Sequence, residues 1–226
     1  MNKYIAASFV VLALFILIAI LVSPKGYFNS NNNNNNKSHI IEADSSAFLY
    51  VNNSHSKTFD KLMVLLTKYG REVFWPIAII LLFVLGGWTG KKTAVIIAIS
   101  MLVLLPLGVI AKDVVARPRP TIPKSDFLIA ADSEYAFPSG HALIVSAGAS
   151  IALLLFRNTI KRLAVSLALT SEAALVCISR VYVGSHYPLD VIGGILLGVG
   201  ISLILVGSER HIDSVMIRIR KRIIKN

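Results

Sequence analysis

Residues 179–190 read Ser-Arg-Val-Tyr-Val-Gly-Ser-His-Tyr-Pro-Leu-Asp, residues 138–141 read Pro-Ser-Gly-His, and residues 112–120 read Lys-Asp-Val-Val-Ala-Arg-Pro-Arg-Pro. Each block stands at the end of an apolar run. Whether those runs cross a bilayer or fill a soluble core decides the fold. Of the 226 residues 55% are hydrophobic and 15% charged, with a mean hydropathy of +0.69. A soluble domain of this size carries about a quarter charged residues. The chain therefore reads as an all-α integral membrane protein. Its net charge of +11 does not point to nucleic acid, because the basic residues flank apolar runs instead of lining one face. The single cysteine, Cys177, excludes a disulfide or cysteine-based metal framework.

Six apolar stretches, 4–22, 73–85, 93–111, 142–156, 163–178 and 191–206, predict a six-transmembrane-helix bundle. The first carries no charge and is long enough, at about 1.5 Å per residue, to span a hydrocarbon core of about 30 Å. A signal peptide is the alternative, but Ser23-Pro24-Lys25 offers no small-x-small cleavage site. Residues 23–43, with asparagines at every position from Asn31 to Asn36, read as a flexible outer loop. Asn36-Lys37-Ser38 and Asn52-Asn53-Ser54 match the glycosylation acceptor pattern. Asp44-Ser45-Ser46 reads as the cap of a helix carrying Phe48, Leu49 and Val51. Phe59, Leu62, Met63 and Leu66 form one apolar stripe. These two pieces read either as short interfacial helices on the outer side or as helices packed on the bundle. Phe74, Trp75 and Trp88 bracket the second span as an aromatic belt does, and Pro106 and Gly108 are expected to kink the third.

Charge orients the bundle. With six spans, Lys3, Lys91, Lys92, Arg157, Lys161, Arg162 and the six basic residues of the tail share one side, twelve Lys/Arg against two acids, Glu209 and Asp213. The other side carries eleven Lys/Arg and nine acids over longer loops. The positive-inside rule predicts cytoplasmic termini with all three polar blocks on the outer face, and the expected location is the plasma membrane. The tail's basic residues and interleaved Ile and Val suit an anionic leaflet. Glycines 193, 194, 198 and 200 predict close packing of the last span.

The blocks carry a coherent chemistry. Lys112, Arg119 and Arg180 at span ends either pair with Asp113, Asp126, Asp132 or Glu134, or bind an anion; Arg offers a planar fork and Lys a point charge for phosphate. Pro118 and Pro120 stiffen the chain about Arg119. Ser139 as an N-cap leaves helix-start amides facing outward, and Gly140 permits close approach of a bound oxygen. His186 and Asp190, at i and i+4 in the first turn of the sixth helix, share a face, so the carboxylate can hold Nδ1–H and leave Nε2 as nucleophile. An ordinary polar cap explains the pair equally well. Two histidines and a carboxylate could also hold a metal, but three neighbouring cations oppose it, so the expectation is no metal and no cofactor. In the catalytic reading His186 attacks phosphorus, the cations and the Ser139/Gly140 amides hold the oxygens, and His141 serves the leaving group. Two further residues are candidates. Arg117 could reach substrate phosphate or lipid headgroups, and the intramembrane acid Glu172 could face the floor of the site or bond another helix.

Lys112-x6-Arg119-Pro120, Pro138-Ser139-Gly140-His141 and Ser179-Arg180-x5-His186-x3-Asp190 resemble the three-part signature of the type 2 phosphatidic acid phosphatase superfamily. Gly184-Ser185 and Tyr187-Pro188-Leu189 resemble the usual surroundings of its nucleophile. The resemblance covers roughly residues 44–206. It implies a membrane phosphatase with His186 as nucleophile, Asp190 as its partner, His141 as acid/base, and Lys112, Arg119, Ser139, Gly140 and Arg180 on phosphate. The expected organisation is a first helix (1–22), the asparagine-rich loop (23–43), the phosphatase core (44–206) and a basic cytoplasmic tail (207–226). The expected substrate is a lipid phosphate, with polyprenyl diphosphate preferred and phosphatidic acid or phosphatidylglycerophosphate as alternatives. A non-catalytic lipid-phosphate binder or transporter is the rival class, and the spans disfavour a soluble haloperoxidase.

Overall fold

The computed structural model describes residues 2–24, 35–121, 128 and 134–225. Among them the regular structure is helical. Helix α1 (Lys3–Val22) starts where the Asn2 side chain accepts a hydrogen bond from the Tyr4 amide at 3.1 Å. It leaves Phe9, Val10 and Leu17 outward and packs along α8 (Pro188–Gly207). Gly200 makes that packing close: a Cβ there would stand 2.6 Å from the Leu12 side chain.

Helix α2 spans Asn35–Asn52, so Asp44 lies inside it and not at its cap, and residues 35–43 are helical where a loop was expected. The earlier asparagines, Asn31–Asn34, lie outside the described residues. Tertiary contacts hold α2: Phe48 is buried in the core, and the Asn52 amide donates to the Tyr182 carbonyl at 3.2 Å.

Helix α3 (Lys57–Tyr69), capped by Ser56, does not stop before the second apolar stretch. It passes through a five-residue π-turn, Gly70–Phe74, into α4 (Trp75–Leu85). The expected separate interfacial helix and second span are thus one helical rod. The wide turn lies where Pro76, which has no N–H, cannot bond the carbonyl of Glu72 four residues back.

Helix α5 (Gly87–Val115) contains Pro106 without ending there, and carries on to Ala116, whose φ of 51° terminates it. At 29 residues it is about 43 Å long, which lifts Lys112 to the end of the bundle. Helix α6 (Gly140–Leu155) is the hub, with α5, α7 (Ile160–Tyr182) and α8 around it. Trp75, fully buried, fills the space over Gly148 of α6. Helix α9 (Glu209–Lys225) folds back on the start of α5: Trp88 Nε1 donates to Asp213 at 3.0 Å, Lys92 pairs with Glu209, and the Arg220 guanidinium lies 5.5 Å from the Trp88 ring centre.

By length and apolarity, four described helices could cross a membrane: α1, α5, α7 and α8. Helix α6 is shorter, at 16 residues, and the π-turn plus α4 is also 16 (5 + 11). The chain is an integral membrane protein built as a helical bundle, and the count of six crossings goes beyond what these lengths give.

Candidate active site

Backbone hydrogen bonds draw the three polar blocks together at one end of the bundle. The segment leaving α5 pairs with the one entering α6: the Ala136 amide donates to the Arg117 carbonyl at 2.8 Å, and Pro118 and Tyr135 form an isolated bridge. After α7 the chain turns tightly through Gly184, with φ of 81°, where glycine avoids the Cβ clash of left-handed backbone. The Ser185 and His186 amides both donate to the Arg180 carbonyl at 3.2 Å. The Ser139 amide, at the start of α6, donates to the Asp190 carbonyl of α8 at 2.9 Å.

The side chains follow. Lys112 Nζ donates to the Tyr135 carbonyl at 2.9 Å, and Arg119 Nη1 to the Ser185 carbonyl at 2.8 Å. Arg180 is buried and donates to Thr67 Oγ1 at 3.2 Å; Ser179 Oγ also bonds that hydroxyl, at 3.0 Å. His141 and His186 are both buried, on α6 and just ahead of α8. Burial first, then the charges of Arg180, Arg119 and Lys112, hold the His186 imidazole well below its ordinary pKa; the Ala136 carbonyl pulls the other way.

The His186–Asp190 pair differs from expectation. The sixth helix begins at Pro188, with Tyr187 as its N-cap, so His186 precedes it. Nδ1 lies 3.7 Å from Asp190 Oδ2, too far for a hydrogen bond. That oxygen accepts the Tyr187 amide at 2.9 Å, as a capping carboxylate does at the third helical position. The other oxygen accepts from Arg117 Nη1 at 2.7 Å.

Arg117 is committed to protein partners. Nη2 bonds Asp44 at 2.6 Å, and the guanidinium stacks 4.3 Å from the Tyr187 ring centre. Asp44 in turn accepts the Leu189 amide at 2.9 Å, so α2 helps to cap α8. Burial pushes the Asp44 carboxyl above its usual pKa, against the pull of Arg117. Glu172 bonds another helix: Oε2 accepts from Trp75 Nε1 at 2.9 Å, and Oε1 would stand 2.9 Å from a Cβ on Gly70, beside the π-turn.

Among the described residues, Ser139 Oγ, Ser185 Oγ and His186 Nδ1 are buried without a hydrogen-bond partner. Ser139 is the N-cap residue of α6, but its hydroxyl does not cap. A helix start leaves its first-turn amides without intrahelical acceptors, and here they follow Gly140. A Cβ on Gly140 would meet only Arg71 Nη1, at 3.6 Å. Packing alone would therefore tolerate a side chain at that position. A convergent set of cations, helix-start amides, unpaired hydroxyls and a neutral imidazole can bind a tetrahedral oxyanion and attack its centre.

Sequence reasoning missed Asp44 as a site partner, and it missed Thr67 and Arg71. Their neighbours at the site lie 69 to 145 residues away in the chain, so no local spacing signals them.

Residues 92–211, more than half of the chain, match the PAP2 superfamily. The chain belongs to the PAP2 superfamily. It is 40% identical over 165 residues to an undecaprenyl-diphosphatase of Sulfolobus acidocaldarius, covering 72% of this chain and 76% of that protein. It is 33% identical over 164 residues to sphingosine-1-phosphate phosphatase 1 of Mus musculus, covering 68% of this chain but 36% of that longer protein. The fold is similar to the crystal structure of a transmembrane PAP2 type phosphatidylglycerolphosphate phosphatase from Bacillus subtilis, with a TM-score of 0.67, 22% identity, and 93% of this chain and 98% of that one covered. As a PAP2 superfamily member this protein is a phosphatase, and the residues brought together above include Lys112, Arg119, Ser139, Gly140, His141, Arg180, His186 and Asp190 of the three-part signature.

Proposed function

We propose that this protein hydrolyses a lipid phosphate or diphosphate, with polyprenyl diphosphate the preferred substrate, through a phosphohistidine formed on His186. The observation that carries this reading is the group of buried, unpaired polar atoms on Ser139, Ser185 and His186 beside Arg119 and Arg180. Folded proteins leave few such atoms unpaired; in this reading the two serine hydroxyls meet phosphoryl oxygens and Nδ1 meets Asp190. The depressed pKa of His186 favours a neutral ring; in this reading the proton sits on Nδ1, facing Asp190, and Nε2 carries the lone pair. Asp190, 3.7 Å from Nδ1, closes on that nitrogen as the complex tightens and stabilises the charge that develops. Lys112, Arg119, Arg180 and the Gly140 amide hold the non-bridging oxygens. His141 faces the leaving oxygen, donating a proton where an alkoxide departs, and then activates water against the phosphohistidine. The relatives include one named for a diphosphate and one named for a monophosphate, and the 40% identity to the former favours the diphosphate.

In this reading six helical segments cross the membrane, both termini face the cytoplasm, and the site opens on the outer face of the plasma membrane. The charge asymmetry of twelve Lys/Arg against two acids on one side supports it. The test is phosphate release by protein in detergent with excess chelator, offered polyprenyl diphosphate, phosphatidic acid and a water-soluble phosphate ester. The expected result is turnover fastest on the prenyl substrate, inhibited by vanadate, and abolished in His186→Ala. Tight binding without turnover would replace the enzyme with a binder or transporter, and full activity in His186→Ala would remove the nucleophile.

A further inference from the structure

Arg71 lies outside the three polar blocks, yet it borders the site. It sits in the π-turn Gly70–Phe74, and its Nη1 lies 3.6 Å from where a Cβ of Gly140 would stand, next to His141 at the start of α6. It pairs with its chain neighbour Glu72, which is more exposed than Arg71 itself. The cations lie at different histidines. Arg119 bonds the Ser185 carbonyl, beside His186, while Arg71 borders Gly140 in the first turn of α6, beside His141. Arg71 therefore stands on the leaving-group side of the site.

A cation there has opposite consequences for two kinds of substrate. When a lipid monophosphate is cleaved the leaving group is an alkoxide, which needs a proton, and a neighbouring guanidinium disfavours the protonated imidazole that would give it. When a diphosphate is cleaved the leaving group is itself a phosphate. It departs as an anion, and a guanidinium can hold it directly with parallel hydrogen bonds.

We propose that Arg71 is a specificity-determining residue that binds the lipid-linked phosphate of a diphosphate substrate and so selects diphosphates over monophosphates. This rests on the phosphatase reading with His186 as nucleophile. The Nε2 lone pair forms a bond to the terminal phosphorus. The bridging P–O bond breaks, and its electron pair goes to the bridging oxygen, which leaves on the lipid monophosphate beside Arg71. Water then attacks the phosphohistidine, a proton passes to His141, the N–P electron pair returns to Nε2, and inorganic phosphate departs. The widened turn has a role here, because it carries Arg71 from the rod toward the start of α6. Glu172, bonded to Trp75 and set against Gly70, braces both ends of that turn.

The test compares farnesyl diphosphate with farnesyl monophosphate, which share one tail, on the full-length protein in detergent. Arg71→Gln and Arg71→Met are assayed together, with thermal unfolding as a folding control, so that loss of one variant leaves the other. The expected result is a fall of about tenfold to a hundredfold in the ratio of kcat/KM for diphosphate over monophosphate, the scale of a lost charged hydrogen bond. A ratio within about twofold of wild type overturns the role of Arg71, even if both activities fall together. His186→Ala is assayed beside them. Phosphate release that persists there defeats the underlying phosphatase mechanism, whatever Arg71 does.

Discussion

Arg117 is held between two carboxylates, Asp44 and Asp190, whose side chains are 1% and 0% exposed. Removing the cation leaves both acids buried without compensation, so Arg117→Ala is expected to destabilise the protein by about 3–5 kcal/mol, measurable as a lowered Tm in detergent. His186 makes a different prediction. Its depressed pKa keeps the ring neutral at and below the usual histidine value near 6.5, so the acid limb of kcat/KM falls below that pH. Taking away a neighbouring cation in Arg119→Gln relieves the repulsion of the imidazolium, raises the His186 pKa and moves the limb to higher pH. A pH profile of the two proteins checks the sign. For stability the direction also follows: the unfolded chain binds the proton more readily, so the contribution of His186 weakens as pH falls below about 6.5. At this scale the sequence was legible where chemistry repeats a local spacing. Arg180, His186 and Asp190 lie within eleven residues, whereas Asp44 meets Arg117 from 73 residues away and carries no mark of that pairing.

Among the elements, α6 and α8 approach closely at Gly194, where an added Cβ would stand 2.6 Å from the Ser139 carbonyl and 3.0 Å from Ala142 Cβ. Those neighbours are backbone and a short side chain, which cannot yield. Gly194→Ala is expected to cost about 1–3 kcal/mol and to slow turnover, because it separates the start of α6, which bears His141, from the start of α8, which His186 precedes. Gly200→Ala meets the flexible end of Leu12 and should cost less; unfolding and activity of the pair read the difference. The long apolar helices α1, α5, α7 and α8 were legible because a run without charges has few other fates. The junction of α3 and α4 was not. Lys68, Arg71 and Glu72 break the hydropathy there, yet the backbone stays helical because Gly70 lies against Val176 of α7, a contact that local composition does not encode.

For the whole molecule, the proposed orientation can be tested with introduced cysteines, since the native Cys177 is buried. Cysteine at the exposed Asn53 should react with an impermeant reagent on intact cells, and cysteine at the exposed Asn158 only after lysis. The reverse pattern would invert the bundle. All-α character and membrane residence followed from composition, but the crossing number did not, because α6 reaches the site with only 16 residues. The main-chain bond from Ser139 to Asp190 acts on the molecule as a fixed jaw. The gap between the two histidines is set by peptide groups, which no side-chain replacement at 139 can remove. A series of Ser139 variants would therefore vary the hydroxyl at constant jaw width, and so separate the chemistry of the site from its calibre.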